Sequence, residues 1–298
     1  MLVSDEVLCV AGGRRVGYRV SGADTRPNLL YFHGSPSSRA EVGEYEPGLL
    51  EEHGVCVVAV DRPGFGATDP LDDLDRLSRT RDAVAVAERL RMAQFAVQGT
   101  SGGGQYALAC AVLMPGQVRA VMLTSAGGRI SEEEGLDGLP EDIAEGWKAG
   151  WRDPEGARAR LEVAAAELRA DPLESLRKIT SGWPADERDW VERTSAALSE
   201  NMVEAVRQGA VGWWLDDQAT GKPWPFDIAE VRAPLHIFHG DGDGLASLPV
   251  LRRSLAGAAR VTEERIYAGG NHFSPWVTRE RQVAMLAVVP HQVGRSAK

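Results

Sequence analysis

Phe95-Ala96-Val97-Gln98-Gly99-Thr100-Ser101-Gly102-Gly103-Gly104-Gln105 is the stretch whose reading decides the fold. Phe95 to Gln98 forms a short apolar run that predicts a buried strand, and Gln105 to Met114 (QYALACAVLM) predicts the helix that follows. A serine between Gly99 and Gly103 on a strand-to-helix turn has the pattern of a nucleophile elbow. The chemistry asks for those residue types. The serine is held at a strained backbone angle, and the glycines carry no Cβ where strand and helix nearly touch. The alternative of a phosphate-cradling loop fails because no lysine follows the glycines. A lone match of this kind is weak, so the partners decide.

An activated serine needs a base, and the base needs an acid. In the elbow architecture these follow in the order Ser, Asp or Glu, His, each on a loop after a strand. Pro234 to Phe238 (PLHIF) is strand-like and is closed by His239-Gly240-Asp241-Gly242-Asp243. Ala259 to Tyr267 is the next strand-like run, ending in Ala268-Gly269-Gly270-Asn271-His272-Phe273. Acid and base candidates therefore lie downstream of Ser101 in the required order. His272 is the expected base, and the acid is Asp241 or Asp243. His33, His53, His236 and His239 are poorer bases because they precede or lie outside the loop that should face the serine.

Strand-like runs recur along the chain at Val7–Val10, Val16–Ser21, Leu29–Phe32, Val55–Val60, Phe95–Gln98, Val118–Thr124, Leu235–Phe238 and Arg260–Tyr267. From the third onward helical segments intervene. The expectation is an α/β fold with a mostly parallel central sheet of about eight strands and helices on both faces. Between Thr124 and Leu235 the strand signal vanishes. Glu155–Ala170 and Asp186–Ser199 have helical composition, and Asp153-Pro154 and Asp171-Pro172 mark boundaries. The predicted division is a core over 1–127, a helical cap over 128–225 and the rest of the core over 226–298. Seven of the eight tryptophans fall in the cap, and most are expected to form its own small core. Trp147 and Trp151 are four residues apart and share a helix face. Trp213 and Trp214 are adjacent, so only one of the two can face inward. These four tryptophans are the candidates for an apolar or aromatic substrate pocket. Glu132-Glu133-Glu134 reads as a solvated face or the entry to a lid.

Five segments together resemble the α/β-hydrolase fold enzymes, in particular small actinobacterial esterases with a helical cap, including polyketide methylesterases. They are His33-Gly34-Ser35-Pro36, Asp61-Arg62-Pro63-Gly64-Phe65-Gly66, Gly99 to Gly103, Gly240 to Asp243 and Gly269 to His272. In that family the acid stands three residues after the glycine, which selects Asp243 over Asp241. The resemblance implies a carboxylic ester hydrolase with no cofactor and no metal, acting through Ser101, Asp243 and His272. The backbone N–H groups of Ser35 and Gly102 would form the oxyanion hole, since Pro36 has no N–H to offer. Asp61 to Gly66 is expected to be a structural turn beneath the site. Epoxide hydrolases and haloalkane dehalogenases of this fold carry aspartate where Ser101 stands. The alternatives are a non-hydrolytic or C–C bond-cleaving enzyme of the same fold, and a ligand-binding, receptor-like member.

Composition fits a single α/β core with an insertion: 298 residues, 43% hydrophobic, with a net charge of −10. No dense Lys/Arg cluster appears, which argues against nucleic acid and anionic membrane surfaces as partners. The expected partner is a small-molecule substrate, and the expected state is a monomer or homodimer. Neither a signal peptide nor an apolar run of membrane-spanning length is apparent, so a cytoplasmic location is expected. Cys9, Cys56 and Cys110 are scattered and odd in number, which suggests buried free thiols. Four lysines against 29 arginines suggest a GC-rich bacterial genome.

Overall fold

The computed structural model describes residues 2–131 and 134–290. Eight strands form one sheet: β1 (Leu2–Cys9), β2 (Arg15–Gly22), β3 (Leu29–Phe32), β4 (Cys56–Val60), β5 (Phe95–Thr100), β6 (Val118–Thr124), β7 (Leu235–Gly240) and β8 (Val261–Tyr267). Their spatial order is β1-β2-β4-β3-β5-β6-β7-β8. β1 and β2 form an antiparallel hairpin, β2 pairs antiparallel with β4, and every pairing from β4 to β8 is parallel. A parallel pair needs a crossover, and the crossovers carry the helices that cover the sheet, among them the short α1 (Leu49–Glu52) between β3 and β4 and α10 (Leu248–Ser254) between β7 and β8.

The strand alternation divides the core into two faces. Leu30, Phe32, Val58, Val60, Val97, Val121, Leu123 and Ile237 point to one side, with the helices α2 (Arg76–Arg89) and α3 (Gly103–Leu113). Leu29, Tyr31, Val57, Ala59, Ala96, Met122 and Phe238 point to the other. There they meet Trp276 and Met285 of the C-terminal segment, which includes α11 (Arg279–Leu286). Burying each such aliphatic side chain contributes about 1.5–3 kcal/mol, so the interleaved strands fix their own register.

After β6 the chain leaves the sheet for α4 (Glu141–Arg152), α5 (Pro154–Ala170), α6 (Pro172–Thr180), α7 (Ala185–Arg193), α8 (Ser195–Ala205) and α9 (Val211–Thr220), then returns as β7. Each Asp-Pro pair acts as a helix start. Asp153 and Asp171 cap α5 and α6 by accepting from the N–H of Gly156 and Glu174, both at 2.9 Å, with proline in the first turn where its missing N–H is harmless. The single helix expected over Asp186–Ser199 is two, broken at Thr194, whose φ of −100° and ψ of 9° leave the helical region. Among the described residues the insertion has no separate core of tryptophans. Trp190 joins the cluster under the sheet together with Leu168, Leu176, Leu198 and Met202, and Trp224 joins the opposite cluster. Of the acidic triplet, Glu132 and Glu133 lie outside the described residues and Glu134 is exposed. Cys56 and Cys110 are buried, and burial pushes their thiols up to about 11 and about 12; Cys9, on the edge strand β1, is exposed.

The first turn of α3 packs tightly against the end of β3. A Cβ on Gly103 would lie 2.2 Å from the Phe32 carbonyl oxygen and 2.6 Å from that of His33, both backbone atoms that cannot yield. Gly103→Ala is therefore expected to destabilise the protein by about 1–3 kcal/mol or more. Gly116→Ala, where a Cβ meets nothing within 4 Å, should leave thermal stability unchanged or raised. Equal melting temperatures for the two variants would contradict this packing.

Candidate active site

Ser101 stands between β5 and α3 with φ of 53°, in the left-handed region where a non-glycine residue is strained. The surroundings hold it there. Its N–H donates to the Thr124 carbonyl at 3.0 Å, and its own carbonyl accepts from Gly104 at 3.1 Å and Gly127 at 3.2 Å. A Cβ on Gly99 would come within 2.5 Å of the Gly103 carbonyl oxygen, so the turn closes only with glycine there.

The loop after β3 lies directly beside this turn. A Cβ on Gly34 would be 3.4 Å from the Ser101 Cβ, and one on Gly102 would be 3.4 Å from the Ser35 Cβ. The backbone of Gly34 and Ser35 thus lies close beside that of Ser101 and Gly102, and no hydrogen bond from the Ser35 or Gly102 N–H to another group is found among the described residues. Glu41 fixes this loop from behind. Its carboxylate accepts from the Gly34 N–H at 3.0 Å, the Ser37 hydroxyl at 2.8 Å and the Tyr31 hydroxyl at 2.8 Å. Burial pushes the Glu41 carboxyl above its ordinary value, and these donors work against that rise.

The two remaining partners meet at the ends of β7 and β8. His272 Nδ1 lies 2.7 Å from Asp243 Oδ2, while Asp243 Oδ1 accepts from the N–H groups of Leu245 and Ala246, each at 2.9 Å. Asp241 is exposed and accepts instead from the Gly269 N–H at 2.6 Å, which ties the histidine loop to the acid loop without touching the imidazole. Burial alone would lower the pKa of His272. The charge and hydrogen bond of Asp243, with Glu41 and Glu187 farther off, outweigh it and raise the imidazole above 6.5. Burial conversely raises the Asp243 carboxyl, and His272 brings it below its ordinary value. His239 lies behind the pair, its Nδ1 4.0 Å from Asp243 Oδ2, and burial lowers its pKa so that it stays neutral. His33 is fully buried; its Nδ1 donates to the Gly34 carbonyl at 2.8 Å and its Nε2 accepts from the Arg62 N–H at 3.0 Å.

Several supporting residues carry no motif. Glu187, on α7, accepts from the N–H groups of Asn271 and Phe273 on either side of His272. Asn201, on α8, accepts from the Ser38 N–H at 2.9 Å and donates to Glu44 at 2.9 Å. Arg62 departs most from the sequence reading. Asp61 does tie its turn, accepting from Arg39 N at 2.7 Å and Ala67 N at 2.8 Å. Arg62, however, reaches out of that turn to donate to the carbonyls of His33 and, at 3.0 Å, Gly34. It also pairs at 2.7 Å with Asp216 on α9, both side chains being only 2% exposed, and the Tyr106 hydroxyl donates to the other Asp216 oxygen at 2.5 Å.

Ser101, Gly102, Gly34, Ser35 and His272 open onto one cavity of about 590 Å³. Trp147 and Trp213 line it as expected of the tryptophans, together with Trp183 and Trp276. Trp151 and Trp214 do not, which corrects that part of the sequence reading: they line an adjoining cavity. The geometry of the helices explains this. Trp213 and Trp214 are about 100° apart around α9. Trp151 sits a turn beyond Trp147 along α4, its ring centroid 5.7 Å away. Among the described residues no group of three or more His, Cys, Asp or Glu side chains is placed to hold a metal ion, and no helix is long and apolar enough to cross a membrane.

A model of the alpha/beta hydrolase family matches residues 29–286. The chain belongs to the alpha/beta hydrolase family. No curated protein matches the sequence. Solved structures similar to it include a bromoperoxidase from Bacillus anthracis, at 19% identity and a TM-score of 0.70, covering 96% of this chain and 99% of that one. Epoxide hydrolase A from Mycobacterium thermoresistibile is 18% identical with a TM-score of 0.69, the coverage being 98% and 100%. The esterase RhEst1 from Rhodococcus is 17% identical with a TM-score of 0.64, the coverage being 97% and 100%. At these identities the neighbours show the fold alone.

Removing one member of a desolvated ion pair leaves the other uncompensated, at about 3–5 kcal/mol. Asp216→Asn should lower thermal stability by that order, and the double variant Arg62→Met/Asp216→Leu should recover much of the loss. Stability losses that simply add in the double variant would contradict the pairing.

Proposed function

We propose that this protein is a serine hydrolase that cleaves a carboxylic ester of an apolar or aromatic small molecule through an acyl-enzyme on Ser101. The observation that carries the reading is the 2.7 Å contact of Asp243 with His272, on a cavity that Ser101 and the Ser35 and Gly102 backbone also line. In the proposed mechanism His272 Nε2 takes the Ser101 proton as the hydroxyl attacks the ester carbonyl. Asp243 holds the imidazole by Nδ1 and stabilises the imidazolium that forms. The N–H groups of Ser35 and Gly102 receive the developing oxyanion, each such donor being worth about 10²–10³ in turnover. His272 then returns the proton to the departing alcohol and, in the second half, activates the water that frees the acid.

Serine at the nucleophile position supports this reading over epoxide opening, where the resembling enzymes use aspartate. The helices α4 to α9 act as the cap, and the tryptophans on the cavity wall support an apolar or aromatic substrate. Asp241, despite its place in the acid loop, serves as a tie between loops.

Treatment with a fluorophosphonate should add one adduct to the wild-type mass and none to Ser101→Ala, with p-nitrophenyl esters turned over only by the former. An adduct without turnover of any ester would replace the ester reading with a non-hydrolytic or C–C bond-cleaving reaction.

A charged imidazole cannot act as base, so the rate should fall as pH drops through the pKa of His272, with a midpoint above the ordinary 6.5. Asp243→Asn should cost up to about 10⁴ in turnover and move that midpoint down, whereas Asp241→Asn should cost far less. Equal losses in the two variants would remove Asp243 from its role.

A further inference from the structure

Glu187 is fully buried, yet it stands on α7 of the insertion and not on the sheet whose ends carry Ser101, Asp243 and His272. Its Oε1 accepts from the Asn271 N–H and its Oε2 from the Phe273 N–H, the latter at 2.9 Å. One carboxylate therefore holds the backbone one residue before and one residue after His272. The sheet side holds other atoms of the same loop: the Ser125 hydroxyl donates to the His272 carbonyl at 2.7 Å, and Asp241 accepts from Gly269. The rings of the insertion press on the loop as well. Trp183, just before α7, lies edge-on to the His272 ring with centroids 6.4 Å apart, and Trp190 of α7 meets Phe273 at 4.9 Å.

A neutral carbonyl could have met either N–H, as buried backbone groups usually are met. A carboxylate in a buried place is costly unless a positive charge stands near it. Among the described residues no Lys or Arg side chain pairs with Glu187, and the positive group that acts on it is His272. One N–H donor on each oxygen favours the ionised form and opposes the rise that burial causes in this carboxyl. The other titratable groups that face the imidazole come from the core: Asp243 at 2.7 Å after β7, Glu41 after β3, and His239 at the end of β7, kept neutral by burial. Asp186, beside Glu187 on α7, adds to the negative charge on that side.

We propose that Glu187 is a positioning residue for the base: from the inserted helices it fixes the His272 loop at the angle that proton transfer with Ser101 requires, and it sets a second negative charge beside the imidazolium. This inference rests on the serine-hydrolase reading of the site. It makes the seating of α7 a condition for full turnover.

The test uses Glu187→Gln, which keeps the shape and removes the charge, and Glu187→Asp, which keeps the charge on a shorter arm. For wild type and both variants, kcat and KM on p-nitrophenyl butyrate are measured against pH. The His272 imidazole is titrated by NMR, its resonance being the one absent from His272→Gln. In Glu187→Gln kcat should fall about 10-fold with KM changed less than about 2-fold. Its His272 midpoint should move down by about half a pH unit or more, because an imidazolium that loses a neighbouring negative charge gives up its proton more readily. Glu187→Asp should lower kcat but hold the midpoint within about 0.2 pH unit of the wild type. Wild-type kcat and midpoint in both variants would overturn the proposal. Loss of the folded state in both would overturn it too, leaving Glu187 a structural acceptor. In either case a fluorophosphonate adduct on wild-type Ser101 keeps the hydrolase reading standing, whereas absence of that adduct from the wild type would overturn both.

Discussion

One buried guanidinium ties the parts of this molecule together. Arg62 leaves the turn after β4, donates to the carbonyls of His33 and Gly34, and closes at 2.7 Å on Asp216 of the inserted helices. It also packs over the rings of Tyr106 and Phe65, at 4.8 and 5.3 Å from their centroids. A charge removed from water this completely is tolerable only with hydrogen-bond acceptors and a counterion at hand. The sheet supplies the carbonyls and α9 supplies the carboxylate, so the two terminal nitrogens have all their partners only when both parts are in place, while Nε has no hydrogen-bond partner among the described residues. The Gly34 carbonyl it grips belongs to the same peptide unit as the Ser35 N–H, so the planar amide passes the restraint straight to the donor beside Ser101.

The insertion holds the other side of the site in the same manner. Glu187 grips the backbone on both sides of His272, and Asn201 grips the loop that Glu41 also holds. The inserted helices thus act as part of the scaffold as well as a roof. Their apolar residues merge with the cluster under the sheet, so no independent core lets them move freely as a body.

The sequence makes legible whatever is local. Apolar runs give seven of the eight strands to within two residues at each end; β1 leaves no such run over its exposed half, Leu2 to Glu6, because this edge strand has no buried face to impose a pattern. The glycine pattern around Ser101 is local too, since each glycine answers to an atom a few residues away or on the next strand. What stayed hidden depends on partners far along the chain. Arg62 and Asp216 are separated by 154 residues and Glu187 and Asn271 by 84, and a lone charged residue on a helix gives no sign of which loop it will reach. Only the geometry of α9 separates Trp213 from Trp214, and Thr194 offers no proline or glycine to announce the break between α7 and α8.

The place where the chain leaves and rejoins the sheet has a consequence for how such a protein can change. β6 and β7 are neighbours, with Thr124 beside Phe238 and Val121 beside Leu235, so the helical segment begins and ends at points already held together by the ladder. In polymer terms it is a closed loop whose ends are pinned at the spacing of adjacent strands. The entropy of closing such a loop grows only logarithmically, by about 0.6 kcal/mol for each doubling of its length. Lengthening, shortening or replacing the helices therefore asks little of the sheet beyond the surface they bury. Natural variation can act on the roof while the turn around Ser101 and the loops after β7 and β8 keep their geometry.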